Sequence, residues 1–201
     1  EMCIRDSGDT MLIKASGSTL ETMTDEDLVR CNLDGNALDD EKKKPSMEVS
    51  FHAWILKSFP EIKCVCHTHP TNTNKILCSG DLIDFASKRL FPDQVVRNGI
   101  KSCVVPYATP GIPLREEIKK SVLEFIVNNG FFPRLILLKN HGIITASTSV
   151  QEAIVSTLMC EKSAEIFIGA KMLNNIQFLT QDEIDAVNTH PSEKYRRSLI
   201  Q

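Results

Sequence analysis

The chain is 201 residues long, 42% hydrophobic and 24% charged, with a formal net charge of −3. These values suit one globular domain with a substantial core, and the interleaved charges leave no basic field for nucleic acid or an anionic membrane. No apolar run approaches the roughly 18–20 residues that span a bilayer, and seven cysteines without framework spacing fit a reducing cytoplasm better than a secreted disulfide fold.

Residues 1–7 carry no clear period and no secretory pattern. Residues 1–9 are therefore read as an uncertain leader or truncated start, and 10–201 as one domain. Met11-Leu12-Ile13 is predicted as a short strand entering Lys14-Ala15-Ser16-Gly17-Ser18. The amides of that small-residue turn could approach an anion, although a plain glycine turn is the simpler reading. Thr24-Asp25-Glu26-Asp27 reads as the cap of a short helix before Val29, and Asp34-Gly35-Asn36 as a hairpin-type turn. Asp39-Asp40-Glu41 followed by Lys42-Lys43-Lys44 reads as a solvated loop.

Pro45-Ser46-Met47-Glu48 is predicted to open a helix, with proline suited to the first turn and Glu48 to the positive end of the dipole. Val49, Phe51, Ala53, Ile55, Leu56 and Phe59 give it a broad apolar face. Glu48 and His52, four apart, share one side. Pro60 ends the helix, and Ile62-Lys63-Cys64-Val65-Cys66-His67-Thr68-His69 reads as a strand closed by Pro70.

Alternate strand residues face one way, so His67 and His69 project side by side. The chain has only five histidines, and a third, His141, sits in Lys139-Asn140-His141-Gly142 after the strand-like Leu135-Ile136-Leu137-Leu138. Two histidines from a strand end and one from a distant turn would leave a fourth position open, as at a catalytic zinc. The short link after the helix folds it back over the strand, which brings Glu48 towards His67 and His69. Cys64 and Cys66 offer a rival C-x-C-H reading, but strand parity turns them to the opposite face. A paired H-x-H also occurs by chance on solvated strands, so the pair alone does not decide.

Beyond the pair, residues 70–79 are predicted as a helix, and residues 82–97 are too mixed to assign. A strand over 100–105 ends at Pro106-Tyr107-Ala108-Thr109-Pro110-Gly111, and Leu114, Ile118, Val122, Phe125 and Ile126 mark a helix ending at Asn129-Gly130. Strands follow over 134–139 and 143–146. Ser149-Val150-Gln151-Glu152 reads as a capping box for a helix to about Asn174, and Thr180-Gln181-Asp182-Glu183 as another. The alternation predicts a single layered α/β domain, and the tight reversal at 138–143 makes its sheet at least partly antiparallel.

Lys14-Ala15-Ser16-Gly17, Pro45-Ser46-Met47-Glu48, His67-Thr68-His69-Pro70, Pro106-Tyr107-Ala108-Thr109-Pro110-Gly111 and Asn140-His141-Gly142 together resemble, in order and spacing, the class II aldolase/adducin family. The resemblance implies a mostly antiparallel central sheet flanked by helices. It also implies a cyclic homotetramer with sites between subunits. It places zinc, or another divalent metal, on His67, His69 and His141, and the acid/base role on Glu48. A tyrosine entering from a neighbour falls on Tyr107, and substrate phosphate falls to Ser16, Gly17 and Ser46. Lys14 either pairs with an anionic substrate group or is simply exposed.

The implied function is a cytoplasmic zinc-dependent aldolase that cleaves a ketose, expected as a sugar phosphate, through an enediolate whose charge the metal stabilises. Alternatives are a sugar-phosphate 4-epimerase, a sugar-acid decarboxylase or dehydratase, and an adducin-like protein-binding domain. In the epimerases the position of Glu48 resembles an aspartate, so the resemblance of Glu48 leans towards aldol chemistry. Two departures stand out: residues 1–10 lack the family's Gly-Asn-x-Ser segment, and Met47 replaces a serine of the fuculose-phosphate enzyme.

Overall fold

The computed structural model describes residues 2–5, 8–19, 22–38 and 43–192. Its strands are β1 (Met2–Arg5), β2 (Thr10–Lys14), β3 (Leu28–Asn32), β4 (Cys64–Thr68), β5 (Cys103–Val105), β6 (Leu135–Leu138) and β7 (Gly142–Ser147). Its helices are α1 (Val49–Ser58), α2 (Thr71–Leu77), α3 (Leu82–Ser87), α4 (Pro92–Asn98), α5 (Ile112–Asn129), α6 (Val150–Met172) and α7 (Gln181–Thr189). The strands form one sheet in the order β3-β2-β1-β4-β7-β6-β5. Only β5 and β6 run parallel; every other pairing is antiparallel. This is the layered α/β class that the residues predict, with the mostly antiparallel sheet that the resemblance implies.

Strand parity builds the two sides. In β6, Ile136 and Leu138 join the larger core with Phe51, Ile55 and Leu56 of α1 and Leu114, Ile118 and Val122 of α5. Leu135 and Leu137 point the other way, into a second core with Cys160, Ala164 and Phe167 of α6. In β4, Val65 faces the α1 side, while Cys64 and Cys66 pack with Ala153 of α6. The cysteines thus lie across the sheet from the histidine face, as parity predicts.

Several sequence expectations are corrected. Met2–Arg5, which shows no period as sequence, forms a strand paired on both sides, with β2 and β4. Four residues are too few to display alternation, and pairing on both edges supplies what the pattern cannot. The helix predicted to open at Pro45 begins at Val49 with Glu48 as N-cap, because Pro45 is held in a bridge to Ala15. The strand predicted over 100–105 is only Cys103–Val105. Ahead of it Gly99 takes φ 82°, and the Ser102 amide donates to Ala86 O instead of entering the sheet.

The stretch over 82–97 resolves into two short helices, α3 and α4. The expected cap at Thr24 starts one 3-10 turn, Asp25–Asp27, whose Asp27 carboxylate accepts from the Thr24 amide. Of the box at Ser149, the hydroxyl accepts from the Glu152 amide at 3.2 Å, but the Glu152 carboxylate accepts from Thr148 Oγ1 and faces Arg134. The box at Thr180 is complete. Of the charged loop, residues 39–42 lie outside the described residues. Among the described residues no helix is long and apolar enough to cross a membrane.

Candidate metal centre

β4 sits fourth of the seven strands, with β7 beside it. Its register places His67 opposite Ile144 and Thr68 opposite Ile143. The hairpin joining β6 to β7 then delivers His141 to the end of β4. Asn140 takes φ 55° at that hairpin, in the left-handed region that asparagine tolerates better than most residues. The Asn140 amide donates to Leu77 O and the His141 amide to Leu138 O, both at 3.1 Å.

Gly142 leaves room for the rings. A Cβ there would lie 2.4 Å from His69 Cδ2, 2.6 Å from Thr68 O and 3.2 Å from His67 Cε1. The glycine after His141 is therefore a packing requirement, which the sequence shows only as a turn residue.

The three rings converge. One ring nitrogen from each of His67, His69 and His141 lies within 4.8 Å of the other two. His69 Nε2 faces His67 Nε2 at 2.9 Å. The Nδ1–H of His67 donates to Ile143 O at 2.8 Å, so Nε2 is the nitrogen turned to the centre. Burial, then the neighbouring His67 and His141, push the His69 imidazolium below its ordinary range. Neutral imidazoles are what a divalent ion needs as ligands.

Glu48 closes the group. Its Oε2 lies 3.0 Å from His67 Nε2 and its Oε1 3.3 Å from His141 Nε2. Its amide donates to Ser46 Oγ at 3.2 Å, which fixes where the side chain leaves α1. Burial alone would raise the carboxyl, but hydrogen bonds to His141 and His67 outweigh it and hold the group well below the usual carboxylate range. The expected approach to His67 is observed. A second partner is His141, and His69 also lies near enough to feel the carboxylate's charge.

The remaining candidates divide. Ala15 bridges Pro45, and the Ser46 amide donates to Lys14 O, so the Lys14–Gly17 turn is tied to the segment that carries Glu48. Ser16 and Gly17 are exposed, with Gly17 at φ 87° and nothing within 4 Å of where a Cβ would stand. The Ser16 amide donates to Lys44 O. Lys14 is buried, not exposed, and its Nζ donates to Ser18 O at 2.8 Å. Tyr107 lies just past β5, 60% exposed, and the described contacts of the three histidines do not include it. His52 is fully buried, stacked on Phe51, with Nδ1 3.0 Å from Cys3 Sγ. His190 is exposed beside Ser192.

Sequence reasoning missed Asn74, whose Nδ2 donates to His141 O at 3.1 Å. Nothing in its local pattern signals that contact, which joins residues 67 positions apart. Three convergent imidazoles with a carboxylate alongside form a donor set suited to zinc or a similar divalent ion.

Comparison with known proteins bears on the same residues. Residues 1–168 match the family described as Class II Aldolase and Adducin N-terminal domain. The chain is 29% identical over 184 residues to a 3-oxo-tetronate 4-phosphate decarboxylase of Haemophilus influenzae, covering 91% of this chain and 82% of that one. It is 31% identical over 166 residues to an L-fuculose phosphate aldolase of Methanococcus maripaludis, covering 81% of each. Among solved structures, an L-fuculose 1-phosphate aldolase superposes with a TM-score of 0.79 at 22% identity, over 97% of this chain and 84% of that one. That last likeness concerns the fold.

Proposed function

The chain belongs to the class II aldolase and adducin family, and on that premise we propose that it is a zinc-dependent aldolase of a small phosphorylated ketose. The observation that carries this reading is the Glu48 carboxylate lying against two of three convergent imidazoles. His67, His69 and His141 would hold the ion. When bound, it supplies a Lewis acid for neighbouring ketone and hydroxyl oxygens.

The chain's own residues do the rest. In retro-aldol cleavage the alcohol proton passes to the Glu48 carboxylate, the carbon–carbon bond breaks to give an aldehyde, and the electron pair stays on the carbon beside the ketone. Glu48 hands a proton to that carbon, work that typically contributes roughly 10²–10⁴-fold in rate. Its recess, only 8% exposed, restricts access of bulk water to that transfer. Gly17, Ser16 and Ser46 receive the phosphate at the turn tied to α1, and Lys14 lends that turn positive charge. Tyr107, exposed in the single chain, enters a neighbour's site in a cyclic homotetramer and serves the leaving aldehyde oxygen. Seven cysteines without the spacing of a disulfide framework support a cytoplasmic setting.

Decarboxylation is the second reading, supported by the Haemophilus relative's coverage of this chain. Loss of CO₂ from a 3-oxo sugar acid also leaves an electron pair beside a ketone, and Glu48 would protonate the same carbon. The two readings separate by product. Zinc-loaded protein is incubated with ketose 1-phosphates and with 3-oxo sugar-acid phosphates, and aldehyde and CO₂ are measured separately. Aldehyde without CO₂ supports the aldolase; CO₂ alone transfers the site to decarboxylation; neither product across both panels overturns the lyase reading. Glu48→Gln should keep the fold and the metal while turnover falls by roughly two orders of magnitude. Parental turnover in that variant would reduce Glu48 to a helix-terminal charge.

A further inference from the structure

His67 and His69 are held differently. His67 lies inside β4, locked by the ladder to β7 and by its own bond to Ile143 O. His69 lies one residue beyond the strand, so its backbone is continuous with Pro70 and the seven-residue helix α2. A helix that short has no stability of its own, and its neighbours decide where it sits.

Those neighbours converge on α2. Pro70 is the N-cap and offers no side-chain acceptor for the first amides. Glu161, from the middle of α6, supplies one. Its Oε1 accepts from the Asn72 amide, and its Oε2 from the Thr73 amide and Thr73 Oγ1, each at 2.9 Å. A carboxylate at that end also meets the positive pole of the helix. Further along α2, Asn74 donates to His141 O, and Leu77 O accepts from the Asn140 amide. One short helix thus connects to His69 at its start and to the His141 hairpin along its length.

We propose that Glu161 is a positioning residue for the metal centre: it clamps α2 to α6, and α2 sets the separation of His69 from His141. The proposal rests on the metal-centre reading above. Glu161→Gln would leave one acceptor oxygen for three donors, the fully buried Thr73 hydroxyl among them, and turn an NH2 group against a backbone amide, so that α2 would shift to find other acceptors. His69 moves with it, while His67 stays on the sheet.

The test is zinc affinity by chelator competition, together with the visible absorption of the cobalt-substituted protein. It uses the parent, Glu161→Gln, Thr73→Val, and Glu165→Gln as an exposed control one turn along α6. Zinc affinity of Glu161→Gln is expected to fall by roughly 10–100-fold, with an altered cobalt spectrum. Thr73→Val, which loses one of the three bonds, should fall between that variant and the parent, and Glu165→Gln should match the parent.

A folded Glu161→Gln protein with parental affinity and spectrum overturns the proposal, even if its melting temperature drops, because the carboxylate would then be a helix cap and nothing more. If Glu161→Gln does not fold, Thr73→Val decides by the same two readouts. A parent that binds no ion overturns the metal reading itself, and the positioning role with it.

Discussion

At the scale of single residues, the centre depends on what is absent at Gly142 as much as on its histidines. A methyl group there would overlap the His69 ring and the Thr68 carbonyl, and neither can retreat without moving a ligand. Gly142→Ala should therefore weaken metal binding by roughly tenfold or more, measured by chelator competition; unchanged affinity would show that the rings can give way. His52 determines part of the response to acid. Burial, the largest effect, and the neighbouring His67 push its imidazolium well below its ordinary 6.5. The unfolded chain therefore takes up a proton that the folded chain refuses, and stability falls as pH drops below about 6.5. Glu48 acts lower down: its carboxyl is depressed, so its contribution is present above its ordinary 4.5 and lost as pH falls below that value. For metal-free protein, urea midpoints from pH 8 to 2 should decline in two limbs, and His52→Gln should flatten the upper one. An upper limb unaffected by that substitution would assign it to other groups.

At the scale of elements, two buried strands position His141. All four residues of β6 and all six of β7 are buried, so the hairpin between them presents His141 from a rigid base. Leu137 has no exposed surface and faces α6. Leu137→Ala removes packing that the layer cannot refill, and should destabilise the protein by about 2–5 kcal/mol in a urea titration. A loss below about 1 kcal/mol, near the scale of a conservative core trim, would mean that α6 settles onto the strand. The same helix carries Glu161, so the packing of α6 on the sheet and the placing of α2 form one structural unit.

At the scale of the molecule, one chain assembles the histidines and Glu48 but leaves Tyr107 exposed. On the proposed reading, a second copy supplies the tyrosine. Mixing Glu48→Gln with Tyr107→Phe subunits should then restore part of the activity, because some interfaces pair an intact Glu48 with an intact Tyr107. Activity of the parent should also fall on dilution through the range where the oligomer dissociates. A fully active monomer by light scattering, or mixed subunits that exchange without complementing, would remove Tyr107 from the site.

The sequence by itself determined the layered α/β class, the histidine face of β4 and the turn that bears His141. Each of these follows from short-range rules: period-two alternation, a proline after the strand, and a glycine in a tight reversal. It also put Glu48 near the centre, since a short link folds α1 back on β4. Only the tertiary structure decided the partners. Met2–Arg5 became a strand because β2 and β4 both accept it. Glu48 settled against His141, and Asn74 and Glu161 came to hold the ligands, through contacts 67 and 89 positions apart. Such contacts leave no periodic trace in the residues, because side chains meet across layers only after the sheet has fixed where each layer lies.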